Sequence, residues 1–380
     1  MLECYKNYCN KLQDGGLYRS IEKPKQGLID FSTNDYLNLR NNKEILEFAI
    51  ELAHQQGIGS GGSRLLSGNH EIFEKFESQI AIDKKSESAL IFSSGFQANF
   101  SALSALLNKE ALSYQEPVLF FDRSNHSSLY QAAFLSRSKL IRFRHNDMQN
   151  LEDLIKEHKG VKYKFIVTET LFGMDGDILP LQDVISIARK YNTFLYIDEA
   201  HATGILGNDG YGLSTDYNLD DIPHLIMGTF SKALGGSGAY VACPRIIRDY
   251  LINKAAGFIY STAPAPIIIG AAYKAWKMMK DMYKERNALL FNASSLRKRL
   301  KNLGFDIGVS NSHIIPIMVK NRFNYVLELK AFLADSGIVV SAIRPPTSQK
   351  EKIRISFCAH HNKEDINFLI NILCNYDKSN

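Results

Sequence analysis

The sequence predicts an α/β protein: a large domain on a mostly parallel sheet flanked by helices, followed by a smaller C-terminal α+β domain. Two observations carry this expectation. Short apolar runs without strict alternation recur between helical patterns over residues 45–283, as a sheet buried on both faces requires. Over 284–380 the order changes to helix, strand, helix, two strands and helix.

Residues 1–44 read as an arm. Leu2, Tyr5, Cys9 and Leu12 recur at helical spacing and stop at Gly15-Gly16, so a short amphipathic helix is expected there. A second helix is expected from Lys43 to Gln56. The apolar runs then follow as Ala89-Leu90-Ile91-Phe92, Val118-Leu119-Phe120-Phe121, Lys164-Phe165-Ile166-Val167, Thr193-Phe194-Leu195-Tyr196-Ile197 and Leu225-Ile226-Met227. Beyond them a long basic helix follows Met282, with a strand over 314–319 and a helix over 325–334. Strands over 338–342 and 352–357 and a helix from Glu364 complete the smaller domain.

Composition narrows the function. The chain has 380 residues, 45% of them apolar, enough for a large core. Its 45 basic and 40 acidic side chains are interspersed, so no nucleic-acid surface is expected. The five cysteines contain no Cys-x-x-Cys pair, which signals neither a disulfide framework nor a metal site and suits a reducing cytoplasm. Residues 1–20 carry charge without an apolar core, and no run nears the roughly 20 apolar residues that span a bilayer; no membrane partner is expected.

Ligands of parallel sheets bind beyond the carboxyl ends of strands, so the polar residues after each apolar run are the informative ones. One run ends in Asp198-Glu199-Ala200-His201, setting a carboxylate at the mouth of a buried strand. Such a carboxylate needs a cationic partner or a set of donors, and a protonated pyridine nitrogen is one such partner. Taken alone, Asp198 would cap a helix and His201 fill a core. Another run ends in Gly228-Thr229-Phe230-Ser231-Lys232-Ala233-Leu234-Gly235-Gly236. A lysine nucleophile must shed a proton, which a tight, desolvated loop promotes. By itself a lysine flanked by glycine and serine is more often solvated; the acidic strand end upstream reverses that balance.

Ser93-Ser94-Gly95-Phe96-Gln97 leads from a strand into a helix, whose N–H groups offer an anion site for a phosphate. His126 ends a fourth strand and could lie flat on a pyridine ring, or be structural. Arg344 and Arg354 lie after and within strands, and an arginine fork suits a carboxylate, though either could make a surface pair. The stretch Gly57-Ile58-Gly59-Ser60-Gly61-Gly62 formally matches a dinucleotide fingerprint and keeps an NAD-dependent oxidoreductase open. It follows the end of a helix rather than a strand, which counts against that role.

Together these segments, from Asn34-Asp35-Tyr36-Leu37 to Ala359-His360, resemble the α-oxoamine synthases, fold-type I enzymes using pyridoxal 5'-phosphate. These condense an amino acid with an acyl thioester and release carbon dioxide. Gly59-Ser60-Gly61-Gly62-Ser63-Arg64, Thr229-Phe230-Ser231-Lys232 and Arg344-Pro345-Pro346-Thr347 are most similar to the members acting in biotin biosynthesis. The resemblance therefore implies L-alanine and a pimeloyl thioester, on coenzyme A or acyl carrier protein, as substrates. Members using glycine or serine are the alternative. It further implies that Lys232 binds the cofactor covalently, Asp198 meets the pyridine nitrogen, His201 the ring oxygen and His126 the ring face. Gly95, Phe96 and Thr229 would hold the phosphate, with Thr262 of a second subunit in a homodimer. Arg354 would take the amino-acid carboxylate, and Arg344, Thr347 and Arg19 would line the acyl side. Two departures bear on the acyl substrate. Gly173 stands where similar chains carry a serine, and Ser348-Gln349-Lys350 lacks the usual Val-Pro.

Overall fold

A computed structural model of the chain describes residues 1–23, 27–319, 325–348 and 350–379. Its helices are α1 (Leu2–Asp14), α2 (Lys43–Gln56), α3 (Glu71–Asp83), α4 (Gly95–Leu106), α5 (Ser127–Ser136), α6 (Met148–Glu157), α7 (Leu181–Tyr191), α8 (Arg245–Lys254), α9 (Ala256–Ile259), α10 (Pro266–Met279), α11 (Tyr283–Asn302), α12 (Tyr325–Asp335) and α13 (Lys363–Ser379). Its strands are β1 (Ile29–Asp30), β2 (Ser88–Phe92), β3 (Val118–Asp122), β4 (Lys139–Phe143), β5 (Lys164–Glu169), β6 (Phe194–Asp198), β7 (His224–Thr229), β8 (Ala239–Cys243), β9 (Ile314–Met318), β10 (Ile338–Val339), β11 (Ser341–Ile343) and β12 (Lys352–Ser356). Two compact units result: residues 34–172 with 178–286, and residues 1–33 with 173–177 and 287–380.

The larger unit holds a seven-stranded sheet in the order β2-β8-β7-β6-β5-β3-β4. All neighbours are parallel except β8, which runs antiparallel to both β2 and β7. The five apolar runs read from the sequence are β2, β3, β5, β6 and β7, and the mostly parallel α/β sheet is borne out. Side-chain alternation explains why these runs are continuous. In β3, Val118 and Phe120 enter one core with Leu151, Ile155 and Val184, while Leu119 and Phe121 enter another with Leu129 and Ala132. Each such side chain, fully buried, contributes about 1.5–3 kcal/mol.

Two strands escaped the sequence reading. The edge strand β4 carries Lys139 and exposed Arg142, so its pattern is neither continuous nor cleanly alternating. Strand β8 follows β7 with no helix between, an arrangement that only an antiparallel partner allows. That reversal makes residues 230–238 the loop of a β-hairpin, closed where Thr229 pairs with Ala239 and Phe230 N–H donates to Gly238 O at 2.9 Å.

Helix starts follow local chemistry. Asn42, Ser94 and Asp147 each accept a hydrogen bond from a first-turn N–H, capping α2, α4 and α6. No helix among the described residues is long and apolar enough to cross a membrane.

In the smaller unit β11, β12 and β9 form an antiparallel sheet, and β1 pairs with β10 in parallel. The single strand expected over 338–342 is thus two, broken at Val340, and they pair with different partners. Residues 173–177 are held inside this unit. Gly176 O accepts from Asn311 N–H and Ser312 N–H, each at 3.1 Å, and Lys352 Nζ donates to Asp175 Oδ1 at 2.5 Å.

Candidate active site

Four adjacent strands of the larger sheet end in polar residues: Asp122 on β3, Glu169 on β5, Asp198 on β6 and Thr229 on β7. Glu169 and Asp198 are register partners, so two buried carboxyl groups lie on neighbouring strand ends. Asp198 Oδ1 accepts from Ala200 N–H at 2.8 Å, and Oδ2 accepts from Asn99 Nδ2 at 2.7 Å. The carboxylate is therefore fixed in orientation while lone pairs remain for a further donor.

Asn99, on α4, extends the arrangement. Its Oδ1 accepts from Tyr196 OH at 2.9 Å, and its amide also donates to Ser128 Oγ at 3.0 Å. Ser128 Oγ lies 2.8 Å from His126 Nδ1, and Ser128 N–H donates to the same nitrogen at 3.3 Å. Nδ1 is thus an acceptor, which puts the proton of a neutral ring on Nε2. His126 retains an exposed surface, yet desolvation by the surrounding protein lowers its pKa below the ordinary imidazole value. Asp198 opposes that shift and the Lys232 ammonium adds to it.

Glu169 holds the same histidine from its backbone: its Oε1 accepts from His126 N–H at 2.6 Å. Burial foremost, and then Asp198, push its carboxyl well above the usual carboxylate range, against the pull of Lys232. Burial and the neighbouring carboxylate thus favour the protonated form of Glu169.

Lys232 is half-buried within the hairpin loop. Thr229 Oγ1 donates to Gly238 O at 2.8 Å and accepts from Ser231 N–H at 3.2 Å. Gly235 N–H closes a turn on Lys232 O at 2.9 Å, with Gly235 at φ 65° against the backbone of Leu39 and Arg40, where a side chain has no room. His201 is buried, its Nδ1 2.7 Å from the hydroxyl of buried Tyr36, which itself lies 3.2 Å from Asn34 Oδ1.

Gly95 opens α4, where the first N–H groups have no partner inside the helix, and it faces the Thr229 side chain, which a side chain at 95 would meet at ordinary contact distance. Phe96 follows, half exposed and stacked on Phe100. Thr262 is exposed; its neighbours tie back to the glycine-rich loop, Ala263 N–H to Gly62 O at 2.9 Å and Ser60 Oγ to Pro264 O at 2.5 Å. That loop follows α2, and Gly57 at φ 85° ends the helix; the strand a dinucleotide fingerprint needs is not there.

The larger unit thus brings Lys232, Asp198, His126, His201, Gly95 and Thr229 to the same sheet edge and loops. Pyridoxal phosphate fits this donor set: an oriented buried carboxylate for a pyridinium, a half-buried amine for an aldehyde, and a helix start for a phosphate. Sequence reasoning missed Asn99, Ser128, Glu169 and Tyr36. Glu169 had the same signal as Asp198, a carboxyl ending an apolar run; Asn99 and Ser128 gave none beyond standing near Gly95 and His126.

In the smaller unit Arg19 Nη2 donates to Thr347 Oγ1 at 3.0 Å, and Arg344 donates to Gly16 O and Tyr18 O. These three residues tie the N-terminal arm to the segment after β11. Arg354 stands apart on β12, 5% exposed. Gly173 lies in the excursion at 173–177, and Gln349 lies outside the described residues.

The model of the aminotransferase class I and II family matches residues 26–373. The chain is 40% identical to an 8-amino-7-oxononanoate synthase of Gluconacetobacter diazotrophicus, over 93% of this chain and 89% of that one. It is 38% identical to the enzyme of that name from Lysinibacillus sphaericus, over 90% and 86%. Among solved structures, 8-amino-7-oxononanoate synthase of Francisella tularensis is similar at TM-score 0.81 and 28% identity, over 93% of this chain and 99% of that one.

Proposed function

The chain belongs to the aminotransferase class I and II family, and we propose that it condenses L-alanine with a pimeloyl thioester, releasing carbon dioxide and the free thiol. The product is 8-amino-7-oxononanoate, made in biotin biosynthesis, and the cofactor is pyridoxal 5'-phosphate. The observation that supports this most is the oriented, buried Asp198 beside the loop that carries Lys232. The choice of alanine and pimeloyl rests on the names of the two relatives.

When bound, the cofactor supplies an aldehyde for amines and a protonated ring that withdraws electrons from an attached amino acid. Asp198 would hold the proton on that ring nitrogen. Lys232 would hold the cofactor through Nζ, and its free amine would serve as the base for the Cα proton of alanine. His126 would face the ring and His201 would serve the ring oxygen, its imidazole oriented by the Tyr36 hydroxyl 2.7 Å from Nδ1. Gly95, Phe96 and Thr229 hold the phosphate, with Thr262 supplied by a second copy of the chain. Arg354 takes the alanine carboxylate by a two-pronged contact. Arg344, Thr347 and Arg19 serve the acyl chain, carried on coenzyme A or acyl carrier protein. The enzyme works as a homodimer in the cytoplasm.

A panel of L-alanine, glycine and L-serine against short, pimeloyl and palmitoyl thioesters tests the substrates. Alanine with pimeloyl thioester is expected to give the highest kcat/KM; a faster glycine or serine reaction would reassign the enzyme to another branch of its family. Lys232→Ala is expected to lose both turnover and the borohydride-trappable cofactor adduct, and normal activity would refute the lysine assignment.

A further inference from the structure

Next to Asp198 lies a buried ion pair that the proposed reaction does not use. The side chains of Glu199 and Lys84 are both fully buried and bonded to each other. Lys84 Nζ also donates to Tyr211 O at 2.8 Å and to Ser214 Oγ at 3.0 Å, so its three protons each have an acceptor. Glu199 Oε2 accepts from Ser214 Oγ at 2.8 Å and Oε1 from Ser214 N–H at 2.8 Å.

The cation comes from the C-terminal end of α3, where three successive residues grip the same neighbourhood. Asp83 accepts from Trp276 Nε1 at 2.7 Å, and Trp276 stacks on Tyr211 at 5.1 Å between ring centres. Lys85 Nζ donates to Thr215 O at 2.7 Å. On the other side, Glu199 is the pivot of the turn that presents the proposed cofactor contacts. Its N–H donates to Met227 O at 2.7 Å, and its carbonyl accepts from Ala202 N–H at 3.0 Å and Thr203 N–H at 2.8 Å. His201 stands inside that turn, and Thr203 Oγ1 meets Tyr240 OH at 3.0 Å, the hydroxyl against which Gly228 packs.

A buried ion pair is seldom the most stable filling for its volume, since apolar groups of like size do as well or better. What a fully bonded pair does provide is one geometry. We propose that Lys84 is a positioning residue: through Glu199 it fixes the turn 198–203 and so sets Asp198 and His201 against the cofactor. Burial lowers the Lys84 pKa and Glu199 counters it, as a pair held by geometry rather than by solvent requires. The inference rests on the reading that this site takes pyridoxal phosphate.

The test compares wild type, Lys84→Met, the double variant Lys84→Met with Glu199→Gln, and Lys84→Arg, each reconstituted with pyridoxal phosphate. Three quantities are read: thermal midpoint, cofactor Kd, and the pH midpoint of the bound cofactor's visible absorption. Lys84→Met leaves a buried carboxylate without its cation and is expected to melt earlier. In the double variant the Gln oxygen still accepts from Ser214 N–H, so the wild-type melting temperature returns. Its cofactor Kd is expected to stay about tenfold weaker, about 1.4 kcal/mol, with a displaced absorption midpoint. If the double variant recovers the cofactor readouts along with stability, the pair is structural only and the inference fails. Should both methionine variants fail to fold, Lys84→Arg decides: it keeps the charge but not the three-way geometry, and an unchanged absorption midpoint overturns the proposal. A wild-type protein that develops no visible band would instead sink the cofactor reading itself.

Discussion

Asn99 and Asp198, from a helix and a strand 99 residues apart in sequence, meet at 2.7 Å, and the same amide nitrogen reaches Ser128 at 3.0 Å. One side chain therefore orients the carboxylate and, through the serine, the ring of His126.

Asn99→Ala removes a donor from a buried carboxylate, a loss of about 1.5–3 kcal/mol. Cofactor affinity is expected to fall about tenfold or more in an absorbance titration. Asn99→Asp sets a second carboxyl against Asp198 and is expected to weaken binding further; equal affinity in either variant would contradict this role.

Glu169 has its carboxyl raised well above the ordinary 4.5, chiefly by burial. The folded state keeps a proton that the unfolded chain gives up, so the stabilisation is complete below 4.5 and is lost as pH rises toward the folded value. Glu169→Gln is neutral at every pH and still accepts from His126 N–H. Thermal melts at rising pH should therefore favour the variant increasingly over wild type, and cofactor binding should survive. A variant that binds no cofactor would mean that Glu169 acts as an anion.

His361 titrates in the opposite sense. Its Nδ1 accepts from Cys358 N–H at 2.9 Å, its Nε2 lies 3.1 Å from Asp30 O, and its ring stacks on Phe31 at 4.1 Å. Burial, helped by His360, lowers its pKa from 6.5 to about 3. The unfolded chain takes up a proton near 6.5 that the folded one refuses, so stability from this site is present above 6.5 and drains away toward about 3. Chemical denaturation between those values should show a pH slope that shrinks in His361→Asn.

Arg344→Met removes both ties from the guanidinium to Gly16 O and Tyr18 O. Amide exchange over residues 15–19 is expected to speed up, and KM for the acyl thioester to rise more than kcat falls. Unchanged exchange would show that Arg19 and Thr347 suffice to hold the arm.

The sequence reading reached the strand ends because burial leaves a plain record: a polar residue after four or five apolar ones has few structural uses. Asp198, Lys232 and His126 were found that way, and Glu169 could have been. The antiparallel β8, which makes the Lys232 loop a hairpin, was hidden because Ala239–Cys243 looks like any other buried run and direction leaves no mark on composition. The partners of Arg344 were beyond reach for another reason. They are main-chain carbonyls 328 and 326 residues away, and every residue has a carbonyl. Asn99 and Ser128 are ordinary helix residues until the fold sets them side by side.

The smaller unit draws on three separate stretches of chain, with β1 seated beside β10 and Asp175 against Lys352. During synthesis Ile29 and Asp30 must therefore wait until Ile338 and Val339 have been made before they find their partners. A fragment beginning at residue 287 would carry a buried ammonium with its counter-charge left behind.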